Sequence, residues 1–382
     1  MSNRLILGAA MMLLSMSAMA NAQALKTKKA NFLLKADVGD FCKDSLLVYK
    51  GRGVKMDTIL VKKGKFTYST ALDKPSRYFL MTPESFRTHV WRALNILCVP
   101  GEKAVLTSEE KNEYNLTGSK YYQQFHEMDQ MQAEASKELR DYDRLMAEKL
   151  YTKGSDREAV KKEYEEKSGI LKKARNDKYF AFVAQHPDYE CCVEMIDELE
   201  DVKDMEKLIS LLSESVKNGK MKAYYQPFLE SAKKRVEMEE KAKKAQASGV
   251  EAPDFTLKDI NGKDLSLSSL RGKYVVLDFW GSWCIWCIKG MPKMKEYYEK
   301  YKGKFEILGV DCNDTEAKWK AAIEKHQLPW LHVYNPKSSD VLGKYAIQGF
   351  PTKIVIGPDG KIVKTIVGED PAFYTLLDEI LK

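Results

Sequence analysis

Histidine is scarce, with five in 382 residues, and no second Cys-x-x-Cys accompanies the pair at Cys284 and Cys287. The ligand spacing of a zinc site is therefore missing, and no metal is expected. No long apolar run occurs beyond the N-terminal segment, so the body of the chain has the composition of a soluble globular protein, with 44% hydrophobic and 31% charged residues. A basic stripe is also lacking. The formal charge is +7, but the lysines interleave with acids in helical segments, which excludes a nucleic-acid-binding face. Seven cysteines leave an odd one, so the set is not simply a disulfide framework. No internal repeat is found, and no cysteine sits at the signal cleavage site to take a lipid anchor.

The length suggests two or three domains. Arg4 precedes the apolar stretch Leu5 to Ser17, and small residues follow in Ala18-Met19-Ala20-Asn21-Ala22. This is the pattern of a secretory signal peptide over 1–22, cleaved after Ala20 or Ala22; the h-region falls short of the roughly 20 residues needed to span a bilayer. The expected location is the periplasm or cell envelope.

Residues 23–117 carry short alternating runs such as Ser45-Leu46-Leu47-Val48-Tyr49 and Ala104-Val105-Leu106-Thr107, punctuated by Gly39, Gly51, Gly53, Gly64 and Gly101. They predict an all-β, sandwich-like domain of antiparallel hairpins. Cys42 and Cys98 either pair within it or stay as two buried thiols, since distance is not readable from sequence. Over 118–248 the period becomes helical: Tyr122, Phe125, Met128, Tyr142, Leu145 and Met146 predict one long first helix, and Tyr164, Leu171 and Val183 a second. Further helices are expected after the His186-Pro187-Asp188 break and on either side of Asn218-Gly219, making an α-helical domain or spacer. Cys191 and Cys192 would point about 100° apart on a helix, so packing is the reading for both. Beyond Gly249 strands and helices alternate through 382, the order of an α/β sheet.

The chemistry concentrates in Asp278-Phe279-Trp280-Gly281-Ser282-Trp283-Cys284-Ile285-Trp286-Cys287. The apolar run Lys273 to Trp280 suits a buried strand, and Lys289 to Tyr301 has helical spacing. Cys-x-x-Cys at that junction puts the first thiol at a helix N-terminus. Free N–H groups and the helix dipole there can lower a thiol pKa from roughly 8.5 to about 3.5–7.5. Cys284 is expected to be exposed on its turn and to attack a substrate disulfide; Cys287, more buried, resolves the mixed disulfide.

Together with Ala252-Pro253-Asp254-Phe255, Leu265 to Lys273, Pro292 and Gly349-Phe350-Pro351-Thr352, these residues make 249–382 resemble a TlpA/ResA-type thioredoxin-fold thiol-disulfide oxidoreductase. The β-region resembles the small domain of unestablished function found ahead of such folds. The resemblance implies an enzyme whose only redox group is the Cys284–Cys287 disulfide. It implies a buried carboxylate at Asp278 that exchanges the Cys287 proton, and a cis-proline at Pro351. Trp283, Phe350, Pro351 and Thr352 would bind substrate. Two departures stand out: a bulky Ile285-Trp286 between the cysteines, and Gly290 where relatives commonly carry a glutamate. Cys312, between Asp311 and Asp314, is expected to be a structural thiol.

The functional expectation is reduction or isomerisation of disulfides in envelope proteins. Substrates would be protein or small-thiol disulfides, a membrane thiol carrier would donate electrons, and the N-terminal or helical region could form a homodimer. The alternatives are a peroxiredoxin-like thiol peroxidase and a non-enzymatic binding module with a structural disulfide.

Overall fold

The computed structural model describes residues 29–88, 93–108, 114–152 and 154–382. The signal segment expected over 1–22 lies outside them. Two compact units divide the chain, one running to Ala232 and the other from Lys233 to Lys382.

In the first unit the alternating runs form β1 (Phe32–Asp37), β2 (Ser45–Tyr49), β3 (Asp57–Leu60), β4 (Lys65–Thr70) and β5 (Ser76–Met81). A short α1 (Pro83–Thr88) follows, then β6 (Ala93–Cys98), β7 (Lys103–Ser108) and β8 (Tyr114–Gly118). Period-two patterning buries one face of each sheet: Phe32, Leu34 and Ala36 point inward from β1, Ala104 and Leu106 from β7. The sheets run β4-β1-β7-β8 and β3-β2-β5-β6. They are not wholly antiparallel as expected, because β1 pairs with β7 in parallel. Between β4 and β7 the chain visits the other sheet through β5 and β6, and that long crossover is what a parallel pair requires.

The helical region contains α2 (Lys120–Ala135), α3 (Lys137–Tyr151), α4 (Arg157–Gln185), a 3₁₀ segment at Glu190–Glu198, α5 (Val202–Leu211), α6 (Glu214–Lys217) and α7 (Lys222–Ala245). The single long first helix expected from periodicity is two helices, α2 and α3, meeting at Ser136, whose hydroxyl bonds the Tyr179 hydroxyl at 3.0 Å. Tyr122, Met128, Tyr179, Val183, Met195, Leu208 and Met221 enter the same core as the strands. Where the sequence separates a β-domain at 117/118 from a helical one, the two share one interior, since the apolar helix faces and the sheet are buried against each other. A polar cluster lies within that unit: Arg77 bonds Glu194 at 3.0 Å and the Tyr224 hydroxyl at 2.5 Å, and Tyr121 donates to Glu194 at 2.5 Å. Cys42, Cys98, Cys191 and Cys192 are all free and buried.

The division between units falls within α7, upstream of the Gly249 boundary expected from the sequence. The second unit comprises β9 (Thr256–Asp259), β10 (Asp264–Ser266), β11 (Tyr274–Trp280), α8 (Ile285–Lys300), β12 (Phe305–Asp311), α9 (Glu316–His326), β13 (Leu331–Tyr334), α10 (Val341–Lys344), β14 (Thr352–Ile356), β15 (Ile362–Val367) and α11 (Ala372–Ile380). They form one mixed sheet, β10-β9-β13-β12-β11-β14-β15. β11 is near-continuously apolar because both of its faces are covered. Val276 and Trp280 pack with Met291 and Met294 of α8 and Phe373 and Leu377 of α11; Val275, Leu277 and Phe279 pack on the opposite face with Leu308, Val310, Tyr345 and Ile354. Asp278 follows this alternation and shares the α8 face with Val276 and Trp280.

Candidate active site: the dithiol at the start of α8

β11 delivers the chain to α8 through Gly281-Ser282-Trp283-Cys284. This turn requires a glycine at 281, because a Cβ there would run into the Trp283 indole nitrogen and the Cys312 carbonyl. Three contacts hold the turn. The Ser282 amide and hydroxyl both donate to Asp314, at 2.6 and 2.7 Å, and Trp283 Nε1 donates to the Cys312 carbonyl at 2.9 Å. The Trp283 ring also meets Phe350 edge-on at 5.3 Å.

Cys284 is the N-cap of α8, and its Sγ accepts the Cys287 amide at 3.2 Å. That N–H is one of the otherwise unpaired donors of the first helical turn, so it favours negative charge on this sulfur. Cys284 and Cys287 form a disulfide. The expectation of an exposed Cys284 is corrected: both cysteines are buried, at 5% and 4% exposure. In the disulfide-bonded state the first sulfur sits in the α8 core cluster, with Phe350 packed against that cluster. What is exposed is the rim, namely Trp283, Ile285 and Trp286. Lys289 lies 4.6 Å over the Trp286 ring.

Asp278 is buried on β11, and its Oδ1 has no hydrogen-bond partner among the described residues. Burial pushes its carboxyl up to about 6, Lys353 pulling it down and Glu369 pushing it further up. A carboxyl in that range can both take and return a proton near neutrality. The Phe350–Pro351 peptide bond is cis. Pro351 and Thr352 are buried, and the Thr352 hydroxyl donates to the Gly349 carbonyl at 2.7 Å. Thr352 therefore shapes the turn instead of presenting a side chain to substrate. Cys312 is free and fully buried, its thiol pushed up by burial and then by Asp311.

Two charged neighbours of Asp278 escaped sequence reasoning. Lys353 is 1% exposed and lies directly across from Asp278 in the β11–β14 register. Glu369, just after β15, pairs with it. The one available signal was a lone lysine inside the apolar run Thr352 to Ile356.

A family model described as the AhpC/TSA family matches residues 248–365, and a domain of unknown function, DUF4369, matches residues 33–125. The thiol-disulfide oxidoreductase ResA of Bacillus cereus is 42% identical over 122 residues, covering 32% of this chain and 70% of the relative. That of Bacillus subtilis is 35% identical over 127 residues, covering 33% and 70%. Among solved structures, the thioredoxin domain of a thiol-disulfide oxidoreductase from Bacteroides vulgatus is 37% identical, covers 36% of this chain and 99% of that one, and has a TM-score of 0.34. On this coverage and identity the chain belongs to the ResA family of thiol-disulfide oxidoreductases, with its dithiol in the C-terminal thioredoxin-fold unit.

Proposed function

We propose that this oxidoreductase works in the reducing or isomerising direction on disulfides of exported proteins, with Cys284 as attacking thiolate, Cys287 as resolving thiol and Asp278 as proton acceptor. The observation that carries the assignment of roles is the helix cap: the Cys287 N–H is aimed at Cys284 Sγ. Cys284 is flanked by the exposed Trp283 and Ile285, whereas Cys287 lies a turn inside, beside buried Gly290 and Met291.

In the reduced enzyme the Cys284 thiolate attacks one sulfur of the substrate disulfide, and the other leaves as a thiolate that takes a proton from water. The Cys287 thiol gives its proton to the Asp278 carboxylate and attacks Cys284 Sγ, expelling the second substrate sulfur as a thiolate, to which Asp278 then returns that proton. The substrate gains two electrons and two protons, and the enzyme is left with the Cys284–Cys287 disulfide. A second dithiol must return those electrons; we assign this to a membrane thiol carrier, in keeping with the secretory pattern of residues 1–22. No helix among the described residues is long and apolar enough to cross a membrane. The exposed aromatic rim favours protein substrates, whose apolar side chains it can cover.

The peroxidase alternative needs a proline and a threonine or serine shortly before a lone reactive cysteine. Here Gly281-Ser282-Trp283 precedes a cysteine that has a partner three residues on. The purified protein is expected to catalyse dithiothreitol-dependent reduction of insulin, and Cys284→Ser to abolish it; full activity in that variant would sink the assignment. Cys287→Ser, expressed in the native cell envelope, should stall the mixed disulfide and so identify the substrate.

A further inference from the structure

The residue across the sheet from Asp278 is a lysine with nowhere to reach water. Lys353 lies in register with Asp278, its side chain is 1% exposed, and its ammonium meets the Glu369 carboxylate at 2.5 Å. Glu369 itself is held in a space that exists only because α8 has a glycine there. A Cβ built on Gly290 would collide with all three atoms of the Glu369 carboxylate group. Gly290 stands one turn after Cys287, so the carboxylate from the β15–α11 connection is inserted against the helix that carries the resolving thiol. The same wall is closed by α11, where Tyr374 donates to the Gly290 carbonyl at 3.5 Å and Phe373 lies 5.6 Å from the Lys353 ammonium.

A lysine–glutamate pair whose lysine is fully buried is a poor way to gain stability, since desolvating the ammonium offsets much of the attraction. A glycine inside a helix is also destabilising relative to alanine. Both costs are incurred at one place, beside a carboxylate with an unpartnered oxygen.

We propose that the Lys353–Glu369 pair, admitted by Gly290, is a positioning device for the known reaction: it sets how tightly Asp278 holds the proton it takes from Cys287. It deepens the reading of Asp278 as proton acceptor and rests on that reading. The physical logic is one of partial neutralisation. An isolated Lys353 ammonium opposite Asp278 would hold that carboxylate ionised and make it a weak base. Glu369 cancels much of the cation and restores the carboxylate's affinity for a proton. The other titratable groups that Asp278 acts on are the Cys312 thiol after β12 and the Tyr374 hydroxyl on α11; Cys287, on the helix covering the same face of β11, joins them once its disulfide is reduced. Among the described residues, Lys353 is the one cation that acts on Asp278.

The signs make the proposal testable. Removing the negative partner with Glu369→Gln should lower the Asp278 titration midpoint by about one pH unit, a tenfold loss of proton affinity; removing the cation with Lys353→Met should raise it. The double variant should return towards the parent. Full-length protein labelled with [4-¹³C]aspartate reports the midpoint directly, and the pH profile of insulin reduction should move in the same direction in each variant. A purely structural pair would shift stability alike in both variants and leave the midpoint in place. Glu369 is partly exposed, so Glu369→Gln decides the matter even if Lys353→Met does not fold: an unchanged or raised midpoint overturns the proposal. If the midpoint moves and the pH profile of reduction does not, the pair acts on Asp278 as inferred and it is the role of Asp278 as proton acceptor that fails.

Discussion

Replacing Asp278 with asparagine should make the oxidised protein more stable while crippling it. In the fold the Asp278 carboxyl titrates at about 6, above the ordinary aspartate range, because burial disfavours its charged form. A group that binds its proton more tightly when folded contributes stability below its unfolded pKa and loses it as pH rises through the folded value. For Asp278 that window runs from roughly pH 4 to just above pH 6, and the loss amounts to about 3 kcal/mol at most. Asparagine keeps the shape and has no charge to desolvate. Asp278→Asn should therefore match the parent near pH 3.5 and exceed it by about 2–3 kcal/mol above pH 7. Guanidinium unfolding of the disulfide-bonded protein is the assay. Tryptophan emission reports the relevant unit, since Trp280, Trp283, Trp286, Trp319 and Trp330, five of the six tryptophans, lie within it. In parallel, insulin reduction at pH 7 should fall by roughly 100-fold or more, the usual range for losing a general base. A stability difference independent of pH, or a variant less stable at pH 8, would refute the argument that Asp278 is a desolvated carboxylate kept for its chemistry.

Other expectations follow from particular contacts. Gly290→Ala should gain helix propensity yet push the Glu369 carboxylate away from Lys353, giving a smaller downward shift of the Asp278 midpoint than Glu369→Gln, read by the same ¹³C titration. In the reduced native protein at pH 8, iodoacetamide should label Cys284 within minutes and leave Cys98, Cys191 and Cys312 untouched, because burial pushes those three thiols up; mass spectrometry of tryptic peptides decides it, and rapid labelling of Cys312 would contradict its structural role. Arg77→Met should destabilise the first unit by about 3–5 kcal/mol, since it strands the buried Glu194 without its cation; a thermal midpoint unchanged by circular dichroism would count against that cluster as a structural anchor.

Much of the chain was legible from local pattern. The run Tyr274 to Trp280 announces a strand covered on both faces, and Cys-x-x-Cys before a helical period places one thiol at a helix cap; both follow from residue spacing of a few positions. Periodicity was less informative where a helix changes direction, as at Ser136, because the stripe continues across the break. It was silent on the shared interior of strands and helices in the first unit, and on the parallel pairing of β1 with β7. Composition could not say that Cys284 would be covered in the disulfide-bonded state, since its burial depends on the packing that brings Phe350 from a distant turn to the α8 cluster.

By itself, then, the sequence determined the dithiol, the strand and helix that hold it, and the carboxylate six residues upstream, because each is encoded within one or two turns of chain. Only the tertiary structure decided what that carboxylate faces. Lys353 is 75 positions from Asp278 and Glu369 is 91, and they meet it through the register of β11 with β14 and the return of the chain after β15. Strand register and the space left by a missing side chain at Gly290 are long-range properties of packing, which no local period records.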